Sequence, residues 1–203
     1  MAVNWMEVQA LATAALVATS TGAIVYAGMQ LRHEREYRNI LNLEKHLSFF
    51  LSAPFAAARQ RMAGDRVLDG RLLEFHKEKP PASVFEVLDF YEHLGMLVRK
   101  GHLNVDDVWH TFYEWAQPVY ADVKPMIEDY DSPYLEQYPD LRRLMHGMDG
   151  IQRRVMSRQK VEHWTLWTPE RILKHYEEEL GAREAHRSGE RRAMREARLE
   201  LGR

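Results

Sequence analysis

The sequence predicts an all-α protein: a single N-terminal transmembrane helix followed by a cytoplasmic helical bundle. Three observations predict it. Ala10 to Met29 is a run of twenty residues without a charge, about the length an α-helix needs to cross the hydrocarbon core of a bilayer. Beyond that run no stretch alternates apolar and polar residues with period two, so no strand is expected. Turn signals at Pro54, Pro80, Pro81, Gly101 and Gly181 separate segments of helical length.

Composition sets the outer limits. The chain has 203 residues, 45% of them hydrophobic and 29% charged, with a mean hydropathy of −0.50. A polytopic membrane protein is thereby excluded, and enough chain remains for one packed core with appendages. Lys and Arg number 28 against 30 Asp and Glu, a net charge of −2, so no global field draws the protein to nucleic acid. The absence of cysteine removes disulfides, thiolate metal sites, iron–sulfur clusters and cysteine nucleophiles together.

Residues 1–9 form a short N-terminal segment and residues 10–30 the membrane helix. Glu7 and Gln9 bound the apolar run on one side, Gln30 and Arg32 on the other. Trp5 and Tyr26 stand where amphipathic rings favour the headgroup boundary. A cleavable signal sequence fits less well, because no Lys or Arg precedes Arg32 and Glu7 occupies the place of the basic region. Arg32, Arg35, Arg38, Lys45, Arg59 and Arg61 follow the span. The positive-inside rule then places the N-terminus outside the membrane and the C-terminal domain in the cytoplasm. Within the span, Ala14, Ala18 and Gly22 form one row at four-residue spacing, and Ala15, Thr19 and Ala23 a second. Small residues so spaced let helix backbones approach in lipid. They are expected to pack against other transmembrane protein, in a hetero-complex rather than a homodimer. No His lies inside the span, so haem or chlorophyll ligation from it is not expected.

The helical cytoplasmic domain covers residues 31–160. Residues 31–52 prolong the span, with Tyr37, Ile40, Leu41, Leu47, Phe50 and Leu51 as an apolar face, and Pro54 ends that helix. Residues 55–78 are less regular, with Gly64 and Gly70 marking a break. Ser83, with Glu86 three residues on, predicts a capping box that opens a helix, and Lys100 followed by Gly101 predicts its end. Asn104 predicts the next start, with Asp106 and Asp107 in the first turn and Val108, Trp109, Phe112 and Tyr113 on the buried side. Residues 83–129 therefore read as an antiparallel αα-hairpin, whose second arm Pro118 and Pro125 are expected to kink or break. A loop and a short helix beginning near Pro139 and Asp140 follow.

Residues 161–203 hold a C-terminal helix and an Arg/Glu-rich tail. Thr168 caps that helix, with Pro169 at its first position, and Ile172, Leu173, Tyr176 and Leu180 pack it. In the tail, Arg183, Arg187, Arg191, Arg195 and Arg198 make one basic stripe, suited to anionic lipid or an acidic subunit. Its Glu residues and lack of aromatic rings argue against nucleic acid.

The stretch FEVLDFYEHLGMLVRKGHLNVDDVWHTFYEWAQPVYADVKPMI, residues 85–127, resembles a bacterial family of unknown function. Its signature is matched by Tyr91, Glu92, Leu94 and Gly95, then by Val98, Arg99, Lys100 and Gly101, then by Trp109 and Phe112. The resemblance covers roughly the first 145 residues. It implies one N-terminal membrane span followed by a small helical domain, and it supplies no catalytic residue.

The candidate chemistry is sparse. No Gly-rich phosphate loop, nucleophile elbow or His-Glu-x-x-His motif occurs. Asp89 with His93, and Asp106 with His110, stand four residues apart on the two hairpin helices, near Glu86 and Glu92. Two such pairs could bind metal in a carboxylate-bridged bundle, but the Glu-x-x-His pattern of those sites is missing. Glu92 lies in the middle of an apolar helix, and its carboxylate must be paired or protonated if buried. It is expected to accept backbone or Arg99 hydrogen bonds and pin the fold. The sequence thus points to a non-enzymatic, single-pass accessory or scaffolding subunit of a larger membrane complex, for example a respiratory or photosynthetic assembly, with no catalytic residue, metal site or cofactor. The alternative is a membrane-tethered metal sensor or enzyme using Asp89, Glu92, His93 and His110.

Overall fold

Apolar periodicity resolves into helices almost throughout. The computed structural model describes the backbone of residues 5–68, 71–72, 80–129, 132–159 and 167–181, and the side chains of residues 19–67, 80–129, 132–159 and 167–181. Among these, α1 spans Trp5–Leu51, α2 Ala53–Arg66, α3 Ala82–Arg99, α4 Val105–Glu128 and α5 Pro139–Arg158. A final helix, α6, covers residues 169–181. The break expected after Gly64 contains a two-residue antiparallel pair, β1 Val67–Leu68 with β2 Arg71–Leu72, the one departure from an all-helical fold among the described residues. Two compact units divide between Asn42 and Leu43.

The first unit carries α1 as far as Asn42. Arg32 pairs with Glu36 at 3.0 Å and Gln30 donates to the Tyr26 hydroxyl at 3.0 Å, supports that an exposed helix draws from its own i, i+4 neighbours. Tyr37, Ile40 and Leu41, expected on an apolar face toward the core, are exposed. In the second unit Leu51 is exposed as well, and the core-facing residues of α1 are Leu43, Leu47 and Phe50. At 100° per residue the two sets form adjoining stripes of one helix, with Ile40 and Leu47 only about 20° apart. The sequence pattern had merged them.

In the second unit, α1 ends at Leu51 and α2 opens after Ser52 with Pro54 in its first turn, where a missing N–H costs nothing. The capping box expected at Ser83 does not form. Helix α3 starts one residue earlier, and the Ser83 hydroxyl donates instead to Asp65 at 2.6 Å while Glu86 accepts from Arg61 at 2.6 Å. Both residues therefore tie α3 to α2. The stop at Gly101 is as expected: φ is +71°, His102 N donates to Leu97 O at 2.9 Å and Gly101 N to Val98 O at 3.0 Å, the Schellman pairing. The Asn104 cap also forms, its side chain accepting from Asp106 N at 3.0 Å.

Pro118 and Pro125 do not break α4, which continues through both to Glu128. Each interior proline costs about 3 kcal/mol. Burial of Val108, Phe112, Tyr113, Val119, Tyr120, Val123, Met126 and Ile127 along the same helix, at roughly 1.5–3 kcal/mol for each large side chain, outweighs that cost.

The hairpin reading is also corrected. Helix α3 packs mainly on α5 and α2, and α4 mainly on α5, so α5 is the shared centre and not a short appendage. It runs on to Arg158, burying Leu141, Leu144, Met145, Met148 and Ile151. Arms α3 and α4 meet through side chains such as Phe90 and Phe112, ring centroids 5.8 Å apart. Ile172 and Tyr176 of α6 enter the same core as expected, and Leu180 packs against it.

Two charged clamps hold α6. Arg66 donates to both carboxylate oxygens of Asp122 at 2.8 Å, with both side chains under 5% exposed. The Tyr176 hydroxyl adds a bond to Asp122 at 2.9 Å. Arg59 donates to Glu179 at 2.9 Å and to the Phe50 carbonyl at 2.8 Å, its guanidinium 4.0 Å from the Phe50 ring centre. Asp122→Ala is expected to cost about 3–5 kcal/mol because it deprives a buried guanidinium of its carboxylate, and Arg66→Met with Asp122→Leu to recover most of that loss. Denaturant unfolding of the three proteins checks it, and a cost below about 1 kcal/mol for the single variant would show the pair to be dispensable.

Candidate functional site

Three of the residues that the sequence singles out, Glu92, Gly95 and Arg99, converge on one place, the start of α5. Every α-helix begins with unpaired backbone N–H groups. Those of Asp140 and Leu141 donate to the Glu92 carboxylate at 3.2 and 2.7 Å. One turn on, Gly95 lies against the same segment, where a Cβ would stand 2.2 Å from the Asp140 carbonyl oxygen. A further turn brings Arg99, whose Nε and Nη2 donate to Asp140 at 2.7 and 3.0 Å. One turn before Glu92, Asp89 accepts from the Tyr138 hydroxyl at 3.3 Å. Positions 89, 92, 95 or 96 and 99 fall on one helix face, so α3 presents a polar strip with a notch at Gly95, and the end of α5 seats in it.

The remaining signature residues have packing roles. Leu94 and Phe112 are fully buried. Trp109 donates to Gln152 at 3.1 Å and so joins α4 to α5. Tyr91 is also buried, and its hydroxyl finds no partner among the described residues. That burial pushes the phenol far above its usual range. Glu92 thus caps a helix, as the expectation of backbone hydrogen bonds had it.

Hydrogen bonding from Arg99, reinforced by Arg143, holds the Asp140 carboxyl below the ordinary carboxylate range. A carboxylate so lowered contributes fully above its unfolded value of about 3.9, and its contribution is lost as pH falls through the lower folded-state value.

A groove lies beside this junction. It has a volume of about 630 Å³ and is lined by residues of α1, α2 and α3, with Phe49, Phe55 and Phe90 as its apolar wall. The rings of Phe55 and Phe90 are 4.7 Å apart and those of Phe49 and Phe90 5.8 Å. His46 and His93 face each other at its edge, ring centroids 5.3 Å apart. Burial, the neighbouring His93 and Lys45 together lower the His46 pKa. The sequence reading singled out His93 and missed His46, because the pairing joins helices 47 residues apart in the chain.

The other expected positions fall apart. His110 is exposed on α4, beside the Trp109 ring, and Glu92 and Asp89 are engaged with the start of α5. Among the described residues no three His, Asp or Glu side chains converge as a metal site requires. Thr19, Gly22 and Ala23 are exposed on α1. The side chains of Ala14, Ala15 and Ala18 lie outside the described residues, as does the whole basic stripe from Arg183 to Arg198. Sequence reasoning missed the Arg66–Asp122 pair, although Asp122 interrupts the apolar face between Val119 and Met126, the pattern that betrays a buried charge.

No family model, curated protein or solved structure matches the chain.

Gly95→Ala reverses the ordinary helix rule. Alanine in place of an interior glycine stabilises a helix by about 1 kcal/mol, but here the added methyl meets backbone, and a loss of about 3 kcal/mol is expected. Thermal unfolding decides the sign. Arg99→Ala is expected to destabilise the protein more at pH 7 than at pH 2, because protonation of Asp140 as the pH falls removes the charge that Arg99 pairs with. An equal cost at both pH values would assign the role of Arg99 to packing.

Proposed function

We propose that this protein is a non-enzymatic single-pass membrane protein that serves as an accessory or scaffolding subunit of a larger membrane complex. The observation that carries the reading is the uncovered state of α1. Ile24, Val25, Tyr26, Met29 and Leu31 are between 56% and 73% exposed and lie on more than one face of the helix. Contiguous apolar surface of this kind is covered by lipid or by another protein. Tyr37, Ile40 and Leu41, also exposed, extend the uncovered surface past the charge-free run. Among the described residues no helix is long and apolar enough to cross a membrane; residues 10–18 of the charge-free run have side chains outside that description. The membrane reading therefore rests on the sequence of the whole run together with the exposure of its described half.

In this reading the Arg residues after the span face the cytoplasm of a bacterial cell, the rows through Ala18 and Gly22 meet a partner helix, and the second unit presents its bundle to the rest of the complex. The basic tail stripe meets anionic lipid or an acidic subunit. The commitment of Glu92, Asp89 and Arg99 to holding α5 favours this over a membrane-tethered metal sensor or enzyme.

Two measurements check it. The full-length chain is expected to stay with membranes on carbonate extraction, and release into the soluble fraction would defeat the anchoring. A side chain added at Gly22 meets nothing within 4 Å in the chain itself, so Ala18→Leu with Gly22→Leu should leave the fold's thermal unfolding unchanged while abolishing co-purification with other membrane proteins in mild detergent. Unchanged co-purification would remove the small-residue rows from the interface.

A further inference from the structure

The groove beside α3 has the features of a ligand site that no role of the α3–α5 junction explains. Its volume of about 630 Å³ lies in the range of pockets that hold small molecules. Phe49 on its wall is 52% exposed, an apolar ring left in water beside two further rings. The three rings are tilted, by 23° between Phe49 and Phe90 and 46° between Phe55 and Phe90, so they form a curved apolar surface and no flat slot for a planar ligand.

The polar edge of the groove is unbalanced. Its two carboxylates are already engaged, Glu86 by Arg61 at 2.6 Å and Asp89 by the Tyr138 hydroxyl at 3.3 Å. Lys45, His46 and His93 remain, and among the described residues no hydrogen bond or ion pair occupies any of them. Three nitrogen-bearing side chains thus converge beside an apolar wall, close enough for Lys45 and His93 both to disfavour a proton on His46. An anion placed among them would relieve that repulsion.

We propose that the groove binds an amphipathic carboxylate, a long-chain fatty acid, with its chain over Phe49, Phe55 and Phe90 and its carboxylate facing Lys45, His46 and His93. A flexible chain follows tilted rings where a planar ligand does not. A single carboxylate matches one Lys and two imidazoles, whereas the bidentate recognition of phosphate draws on Arg forks, and no Arg is among the described residues that line the groove. A bound carboxylate favours the protonated form of His46, which burial, His93 and Lys45 otherwise disfavour, so binding is coupled to proton uptake and strengthens as pH falls. The titratable and charged groups that line the groove with His46 are Lys45 on its own helix and Glu86, Asp89 and His93 on α3. The inference is independent of the membrane reading.

Photo-crosslinking of the full-length chain in neutral detergent with a sixteen-carbon carboxylate bearing a chain diazirine tests it. Label is expected on the peptides carrying Phe49 and Phe90, displaced by palmitate but not by hexadecanol, and stronger at pH 6 than at pH 8. Lys45→Ala with His46→Ala and His93→Ala should lower labelling about tenfold while thermal unfolding stays unchanged, since Lys45 and His93 are exposed and His46 is half-buried. If the variant unfolds earlier, palmitate displacement and the pH trend on the unaltered chain decide. Equal labelling in a folded triple variant, equal displacement by hexadecanol, or displacement by anionic phospholipid vesicles but not by palmitate overturns the proposal.

Discussion

The bundle depends on the seating of the α5 N-terminus in the Gly95 notch of α3. Helix starts carry unpaired N–H groups and a partial positive charge, so they are costly to bury without an acceptor. Here Glu92 supplies the acceptor, Gly95 the clearance, and Arg99 fastens the first acidic residue of the helix. Because α5 is the main partner of both α3 and α4, its angle of entry sets where Leu141, Leu144, Met145 and Met148 meet the rest of the core. A residue such as glycine, unfavourable in a helix interior on propensity alone, is retained there because backbone must pass where a side chain would be.

Charge does the corresponding work at the other side of the core. The buried Arg66–Asp122 pair joins α2 to α4 and accepts the Tyr176 hydroxyl of α6, and the Arg59–Glu179 pair joins α2 to α6 directly. Hydrophobic contact through Ile172 and Tyr176 holds α6 without directing it, whereas the Tyr176–Asp122 hydrogen bond and the Arg59–Glu179 ion pair at fixed positions set its register. Such pairs add little net stability over apolar replacements; their role here is to make one placement of a short helix better than its neighbours. The same excess of buried surface lets α4 keep two prolines.

Two kinds of uncovered apolar surface remain. Along α1 it is broad and, among the described residues, spreads over more than one face of the helix, which suits lipid and a partner helix. In the groove it is confined, curved and edged by three nitrogen-bearing side chains, which suits a molecule with one anionic end. These surfaces belong to different units of the chain and make separate demands on what covers them.

Much of the helical layout was legible in the sequence, because it rests on local rules. The stops and starts at Gly101, Asn104 and Thr168 follow from backbone conformations and caps that a few neighbouring residues decide. What those rules do not reach is which donor and acceptor meet across the chain. Ser83 and Glu86 had the spacing of a capping box and bonded to α2 instead, since a helix beginning one residue earlier offered them nearer partners. Glu92 and Gly95 stood out in the sequence as a pattern, but their purpose appeared only with Asp140 and Leu141 beside them, 48 and 49 residues from Glu92. The sequence by itself determined the helical class, the stop at Gly101, the cap at Asn104 and the charge-free run in α1. Tertiary structure alone decided that α5 is the centre, that Arg66 and Asp122 pair, and that His46 and His93 share a groove, because contacts between distant residues depend on how whole helix faces fit.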